Sequence, residues 1–128
     1  MTRINVIPVE ELSDQHLIAE YHELPRVFKQ KISVYDAPVG YCLGKGHCKW
    51  AKKHGAFLQD RYIALQQEMA YRGFMVRFGS DFTAWSNHWN NYLPTNQDID
   101  LNRQRIREKY EAKPNWYRWT KRARPAWL

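Results

Sequence analysis

The sequence predicts one domain built on three main helices, joined by irregular loops and followed by a basic aromatic C-terminal tail. Its 128 residues are enough for a single sizeable core but not for two. Apolar residues recur at the spacing of one helix face in three separate segments. The excess positive charge and three of the six tryptophans lie in the last fifth of the chain.

The first helix is predicted to begin near Ser13 or Asp14, because either side chain can accept hydrogen bonds from the free amides of a first turn. Pro25 is expected to kink or end this helix, since proline lacks the backbone N–H that a helix interior uses. The apolar stripe, at i, i+4, i+7 and i+11, consists of Leu17, Tyr21, Leu24 and Phe28. We interpret this stripe as ordinary core.

The two later helices show the same kind of pattern. The second is predicted from about His54 to Arg72, with Gly73 as its C-terminal stop. Its stripe consists of Leu58, Tyr62, Leu65 and Met69. The third is predicted to follow Asp98 or Asp100 and to end before Pro114. Its buried side carries Ile99, Ile106 and Tyr110.

Two connecting stretches, roughly residues 29–53 and 74–97, are predicted to be irregular. The first is punctuated by turn residues: Pro38, Gly40, Gly44 and Gly46. In the second, Asp81 could cap a short helix that would align three aromatic residues. These are Trp85, Trp89 and Tyr92, which fit a core better than a ligand platform.

The expected cellular compartment is inferred from two sequence features. No apolar run reaches the length of a membrane span, and the N-terminus does not have the pattern of a signal peptide. We therefore expect a cytoplasmic protein in which Cys42 and Cys48 stay free thiols, because that compartment is reducing. Their spacing is also too wide for a zinc knuckle. The segment LGKGH is not a phosphate loop, since it lacks the Gly-Lys-Ser/Thr ending.

The basic charge is concentrated at the C-terminus. The formal net charge is +7, and residues 103–128 hold nine Lys or Arg against two Asp or Glu. Arg105 and Lys109 project from one flank of the third helix, and the following cations alternate with aromatic residues. These aromatic residues are Trp116, Tyr117, Trp119 and Trp127. Cations bind phosphates and rings stack on exposed bases, so the tail suits nucleic acid, while some of its rings pack on the domain.

The N-terminus offers chemistry that no internal residue has. If Met1 is removed, the α-amine of Thr2 becomes an exposed nucleophile. An α-amine has a pKa of about 7.7, which leaves roughly a sixth of it unprotonated and makes it roughly a few hundredfold better than lysine at forming an imine. Arg3 beside it lowers that pKa further by like-charge repulsion.

Glu23 lies on the first helix at about 120° from the apolar stripe, so it flanks the core. A carboxylate at such a position is most often a solvated surface group. His16, Glu20 and Glu23 recur at i, i+4 and i+7 and could instead hold a divalent metal, as in a metal-dependent nuclease. A non-catalytic basic nucleic-acid-binding module would explain the tail but not the pairing of Thr2 with Glu23.

Six motifs, in this order, resemble the pyrimidine-dimer DNA glycosylase and abasic-site lyase family, the phage-type endonuclease V enzymes. The motifs are MTRIN, DQHLIAEYHELPRVF, LGKGH, AYRGF, YLP and KPNWYRW. The resemblance is close at both ends of the chain and loose in the middle. It implies a compact all-α single domain without a metal or other cofactor. The implied partner is double-stranded DNA that carries pyrimidine dimers or abasic sites, and we expect a monomer.

The resemblance also implies roles for individual residues. Thr2 matches the nucleophile that forms an imine with the lesion sugar, and Glu23 matches the carboxylate that stabilises the cationic sugar and promotes β-elimination. Further matches to DNA-binding positions are Arg3, Arg26, Arg105 and Lys109, and the aromatic motif Trp116, Tyr117, Arg118 and Trp119. His22 departs from the family pattern, which has arginine there, and this predicts weaker or more pH-dependent binding without loss of activity.

Overall fold

The computed structural model describes residues 4–79 and 88–128. Within these residues the regular structure is helical and contains no strand, which confirms the all-α class. The α-helices are α1 (Asp14–Lys29), α2 (His47–Lys53), α3 (Gly55–Tyr71) and α4 (Asn96–Ala112). A short 3-10 helix, Val9–Glu11, precedes α1. Three of these α-helices were predicted, whereas α2 lies in a stretch predicted to be irregular.

None of the helices in the described ranges is long and apolar enough to cross a membrane.

Helix α1 begins where the sequence predicts and continues beyond Pro25. The Ser13 side chain caps it by accepting a hydrogen bond from the His16 N–H at 3.1 Å. The helix extends past Pro25 to Lys29, so the proline does not end it. Val27 and Phe28 are both 0% exposed. Their burial in the core holds the last turn despite the hydrogen bond that proline cannot make.

The ends of α3 and α4 show one confirmed prediction and one correction. Helix α3 ends at Tyr71, and Gly73 follows with a φ of 86°, as expected of a glycine stop. The N-cap of α4 is Thr95 and not Asp98 or Asp100, so that prediction was wrong. The Thr95 hydroxyl accepts from the Asp98 N–H at 3.1 Å, and the Asp98 carboxylate accepts from the Thr95 N–H at 2.9 Å. Asp98 is therefore the second half of a capping box.

The core forms where α1 packs against α3. Tyr21 and Tyr62 stack there with ring centroids 5.5 Å apart and planes within 4°. Every residue of the two predicted stripes is buried: Leu17, Tyr21, Leu24, Phe28, Leu58, Tyr62, Leu65 and Met69. On α4, Ile106 is buried and Ile99 packs against the same core. The helical periodicity therefore predicted the core faces of α1 and α3 correctly. On α4 it was wrong for Tyr110, which is half-buried and contacts Tyr117 and Trp119 of the tail, with ring centroids 6.0 and 6.1 Å away.

A second part of the core surrounds Trp50 of α2, which is fully buried. Tyr41 and Tyr92 meet its ring edge to face, with centroids 4.9 and 5.0 Å away. Tyr92 is thus core, as predicted, whereas Trp89 is 42% exposed. Two positions of the predicted short helix lie outside the described residues, Asp81 and Trp85.

The C-terminal tail, residues 113–128, packs on the start of α1 and on α4. The indoles of Trp119 and Trp127 both donate to Glu11, to its carbonyl at 3.0 Å and to its carboxylate at 2.9 Å. The Arg103 guanidinium lies over the Trp127 ring, 5.3 Å from its centroid. Part of the basic aromatic tail is therefore packed on the domain, as the sequence analysis expected.

Candidate functional site

A cleft of about 220 Å³ opens between α1, α4 and the C-terminal tail, and we call it the α1–α4 cleft. It is lined by Asn5, Gln15, His16, Ala19, Glu20, Glu23, Ile106, Lys109, Trp116 and Tyr117. Four predicted functional residues meet here although they come from separate elements: Glu23, Lys109, Trp116 and Tyr117. The fold thus brings together a carboxylate, a cation and two aromatic rings.

Glu23 lies at the α1 side of this cleft. Its side chain is 21% exposed, and its carboxylate is 3.6 Å from the guanidinium of Arg26, whose side chain is 74% exposed. The prediction that Glu23 flanks the core is therefore confirmed, but its surroundings are a concave site and not an open helix face. A carboxylate held in such a site can stabilise positive charge that develops on a bound ligand.

His16 forms a stacked pair with Tyr117. Their ring centroids are 4.8 Å apart and their planes lie within 8°, while the Ser13 hydroxyl lies 2.9 Å from His16 Nδ1. Burial, and secondarily the charge of Lys109, lowers the pKa of His16 to about 4. The ring is therefore neutral at physiological pH and serves as a flat, uncharged support for Tyr117.

The wall of the cleft is the tail segment that carries Trp116 and Tyr117. Gln15 Nε2 donates to the Trp116 carbonyl at 2.8 Å, and Gln15 Oε1 accepts from the Arg118 N–H at 3.1 Å. The Asp14 N–H donates to the Arg118 carbonyl at 2.7 Å. The first turn of α1 thus holds the tail backbone, while the Trp116 side chain remains 62% exposed and accessible to a ligand.

The floor of the cleft is a buried ion pair. Arg61 donates through Nε and Nη2 to the two carboxylate oxygens of Glu20, at 2.7 and 3.0 Å. Asn5 Nδ2 adds a hydrogen bond to Glu20 Oε1 at 2.8 Å. The side chains of Arg61 and Glu20 are only 7% and 1% exposed. A buried pair of this kind is stable because each charged group is hydrogen-bonded as well as paired.

The hydrogen bonds of this floor disfavour the alternative metal site of His16, Glu20 and Glu23. Both oxygens of Glu20 are bound by Arg61, and one also by Asn5, so Glu20 cannot join His16 and Glu23 as a ligand without breaking the pair. In residues 4–79 and 88–128, no group of three His, Cys, Asp or Glu side chains is arranged to hold a metal ion.

The N-terminal segment lies along this floor. The Ile4 N–H donates to His47 Nε2 at 3.1 Å. Further along the segment, the backbone N–H groups of Val6 and Ile7 both donate to Asn102 Oδ1, at 2.7 and 3.1 Å. These bonds fix the backbone of the segment at the edge of the α1–α4 cleft. Its Asn5 side chain lines the cleft directly.

Among the residues that the structure describes, the other predicted positions do not line this cleft. His22 lies beside Tyr21, with ring centroids 5.1 Å apart, in a second cleft of about 360 Å³. The Arg105 guanidinium is 3.6 Å from Glu108 and lines a hollow beside Gly44. Thr2 and Arg3 lie outside the described residues.

Sequence reasoning missed Asn5, Gln15 and Asn102. Asn102 carried a signal, because it falls between Ile99 and Ile106 on the apolar stripe of α4, and a polar residue on a buried stripe indicates a hydrogen-bonded role. Asn5 and Gln15 carried no signal of this kind. Their partners lie 97, 101 and 103 positions away in the chain.

The N-terminal part of the chain matches a known protein family. Residues 1–81 match a family model described as pyrimidine dimer DNA glycosylase, which covers more than half of the chain. The matched stretch contains α1 with His16 and Glu23. It ends before α4 and the tail, so Lys109, Trp116 and Tyr117 are connected to the site by the fold and not by this match.

Proposed function

We propose a mechanism for this chain, which belongs to the pyrimidine dimer DNA glycosylase family and therefore acts on damaged DNA. In this mechanism the terminal amine of the protein forms an imine with the sugar of the damaged nucleotide. After loss of Met1, the Thr2 nitrogen attacks C1′ of the damaged nucleotide. The C1′–N bond breaks, and the base leaves with the bonding electrons. The departing base takes up a proton, and the attached Thr2 nitrogen loses one. The lone pair of this nitrogen then forms a double bond to C1′ as the C1′–O4′ bond breaks, O4′ takes up a proton, and the product is a protonated imine to the opened sugar.

One observation carries this proposal: Glu23 and Asn5 line the same cleft. Thr2 lies three positions before Asn5, a reach of at most about 10 Å of chain. This short, anchored length of chain supports a mechanism in which the terminal amine acts beside the Glu23 carboxylate. This carboxylate stabilises the positive charge that develops on the sugar as the base departs.

The second step cuts the strand. We assign to Glu23 the removal of a proton from C2′ of the imine, which expels the 3′ phosphate by β-elimination. Hydrolysis of the remaining imine releases the sugar and restores the amine. The same chemistry makes an abasic site a substrate, because an open abasic sugar already presents C1′ as an aldehyde.

DNA recognition involves the tail and the cations around the cleft. Trp116 and Tyr117 offer ring faces for exposed bases, while Lys109, Arg26 and Arg105 are suited to phosphates. A dimer already weakens stacking and pairing, so deforming the duplex costs less at a lesion than elsewhere. Contacts from five cations to phosphates predict a slope of about −4.5 for log affinity against log salt concentration. One chain supplies all these groups, so we propose a monomer.

Borohydride reduction tests the mechanism, because it converts an imine into a stable covalent link. We expect a trapped adduct on ultraviolet-irradiated DNA and on abasic DNA, with the mature protein and in the presence of EDTA. Acetylating or extending the N-terminus should abolish the adduct. Absence of the adduct from a protein whose mature terminus has been verified by mass would rule the mechanism out.

Replacing the carboxylate tests the role of Glu23. Glu23→Gln should lower the rate of base release by at least about a hundredfold, as expected for loss of electrostatic and acid-base assistance. Binding to lesion DNA should change far less. Glu111→Gln provides the control, because Glu111 is an exposed carboxylate that does not line the cleft. Equal rates for Glu23→Gln and this control would contradict the assigned role.

A further inference from the structure

Asn102 of α4 is a polar residue that the mechanism above does not use, and it is 0% exposed. It lies on the buried side of the helix, in register with Ile106. Burying an amide without partners costs free energy, so such a residue must be hydrogen-bonded. Its partners identify what it holds.

Within the described residues, the Asn102 side chain makes three hydrogen bonds, and all go to the N-terminal segment. Its Oδ1 accepts from the amides of Val6 and Ile7 at 2.7 and 3.1 Å. Its Nδ2 donates to Asn5 Oδ1 at 2.7 Å. Two backbone donors on one oxygen fix the orientation of the amide group. Asn102 therefore binds three consecutive residues of the segment, Asn5, Val6 and Ile7.

The hydrogen bonds continue from Asn5 to the catalytic face of α1. Asn5 Nδ2 donates to Glu20, which is one turn before Glu23 on the same helix. Arg61 pairs with Glu20 and also donates to the Ile7 carbonyl. The N-terminal segment is thus hydrogen-bonded to three helices. Asn102 binds it from α4, Arg61 binds it from α3, and the Asn5 side chain links it to α1.

We propose that Asn102 is a positioning residue that sets the register of the N-terminal segment against α1, and so the distance from the terminal amine to Glu23. This inference rests on the proposed imine mechanism. A slip of one residue along an extended segment would move the amine by about 3.4 Å. Misplacement of a reacting group by 1 Å can already cost about a hundredfold in rate.

Two variants test this role, Asn102→Ala and the milder Asn102→Ser, which keeps one hydroxyl acceptor. The measurement is the single-turnover rate of borohydride trapping on abasic DNA at saturating enzyme, together with DNA affinity in the absence of borohydride. We expect Asn102→Ala to trap about 10- to 100-fold more slowly. Asn102→Ser should fall between this variant and the wild type, and both affinities should stay within about threefold of wild type, since Asn102 is buried away from DNA.

The matched control is Met69→Ala, which removes a core side chain 3% exposed about 12 Å along α3 from Arg61. It should lose thermal stability but trap at the wild-type rate while folded. Equal trapping by wild type and both Asn102 variants would overturn the inference, and so would equal slowing in Met69→Ala. If Asn102→Ala does not fold, Asn102→Ser decides alone. Failure of the wild type to trap would instead refute the proposed mechanism.

Discussion

The floor and the wall of the α1–α4 cleft are built in opposite ways. The floor, formed by Glu20 with its partners Arg61 and Asn5, is hydrogen-bonded through Asn5 to Asn102, and none of these four residues is more than 8% exposed. The wall is the tail segment with Trp116 and Tyr117, which Gln15 holds through two solvent-exposed hydrogen bonds. Asn5 and Glu20 of the floor line the same cleft as the two rings of the wall, yet only the floor is enclosed by the core.

The difference matches what each side contributes to the reaction. In the floor, no group can move without leaving a buried partner unsatisfied, so its geometry is fixed. Imine chemistry needs such fixed geometry between amine and carboxylate. In the wall, water can replace the hydrogen bonds of Gln15, so the segment around Trp116 loosens at lower cost than the floor, while Asp14 still holds the Arg118 carbonyl. A wall of this kind can adapt its rings to a distorted duplex.

Breaking the floor should have the largest effect. Arg61→Ala leaves Glu20 buried without its partner, and we expect a loss of about 3 to 5 kcal/mol in the free energy of unfolding. Urea denaturation measures this loss. The control is Glu108→Ala, which breaks a more exposed pair with Arg105 and should cost less than about 1 kcal/mol. Similar losses in both variants would contradict the distinction between a fixed floor and the rest of the surface.

Acid should destabilise the protein through His16, which lies where the wall rests on α1. Its folded-state pKa of about 4 is below the unfolded value of about 6.5. Between these two pH values the unfolded chain binds a proton that the folded chain excludes. The stability that depends on neutral His16 is fully present above about pH 6.5 and is lost as the pH falls toward 4.

The comparison with His16→Asn isolates this effect from that of other groups. The stability difference between wild type and variant should shift against the wild type by at most about 3 kcal/mol from pH 7 to pH 4. Urea denaturation at each pH measures the difference. A difference that stays constant across this range would show that His16 titrates normally in the folded protein.

Removing a ring from the wall should weaken binding but not folding. Trp116→Ala is expected to cost about 1 to 3 kcal/mol of affinity for lesion DNA, the usual value of one base stacked on an aromatic ring. The melting temperature should stay nearly unchanged, because the side chain is 62% exposed. Fluorescence anisotropy with dimer-containing duplex tests this. Tyr35→Ala, at a 97% exposed ring outside the cleft, should bind like the wild type.

Loosening the wall without removing a ring should have the smallest effect. Gln15→Ala deletes two hydrogen bonds, each of which contributes at most about 1.5 kcal/mol to the free energy of unfolding. We expect a severalfold loss of affinity for lesion DNA and a small loss of stability. Gln67→Ala, at an exposed site on α3, is the control. An effect of Gln15→Ala on trapping rate as large as that of Asn102→Ala would contradict the division between wall and floor.

The sequence predicted the parts of this fold that depend on local periodicity. The stripes that end at Phe28 and Met69 are buried, and Gly73 terminates α3 as expected. Local reasoning was less accurate where packing or a neighbour decides. Pro25 does not end α1, because Val27 and Phe28 are buried beyond it, and α4 begins at a capping box and not at an isolated aspartate.

The candidate site was predictable only in part. Glu23, Lys109 and Trp116 were singled out by residue type and by the family resemblance, and the fold places them in one cleft. The floor could not be predicted, because it depends on contacts such as Asn5 with Asn102, 97 positions apart. Asn102 stands out locally as a polar residue on an apolar stripe, but nothing in the local sequence identifies its partner, and Asn5 carries no signal at all. Only the packing of α4 against the N-terminal segment shows what the pair does.

The central claim is that the terminal amine, and not a lysine, forms the imine. Lys109 lines the same cleft and is the natural competitor. Peptide mapping by mass spectrometry of the borohydride-trapped adduct on abasic DNA separates the two. The account predicts that the sugar remnant is attached to the peptide that begins with Thr2. A remnant attached to Lys109, with an unmodified N-terminal peptide, would contradict it.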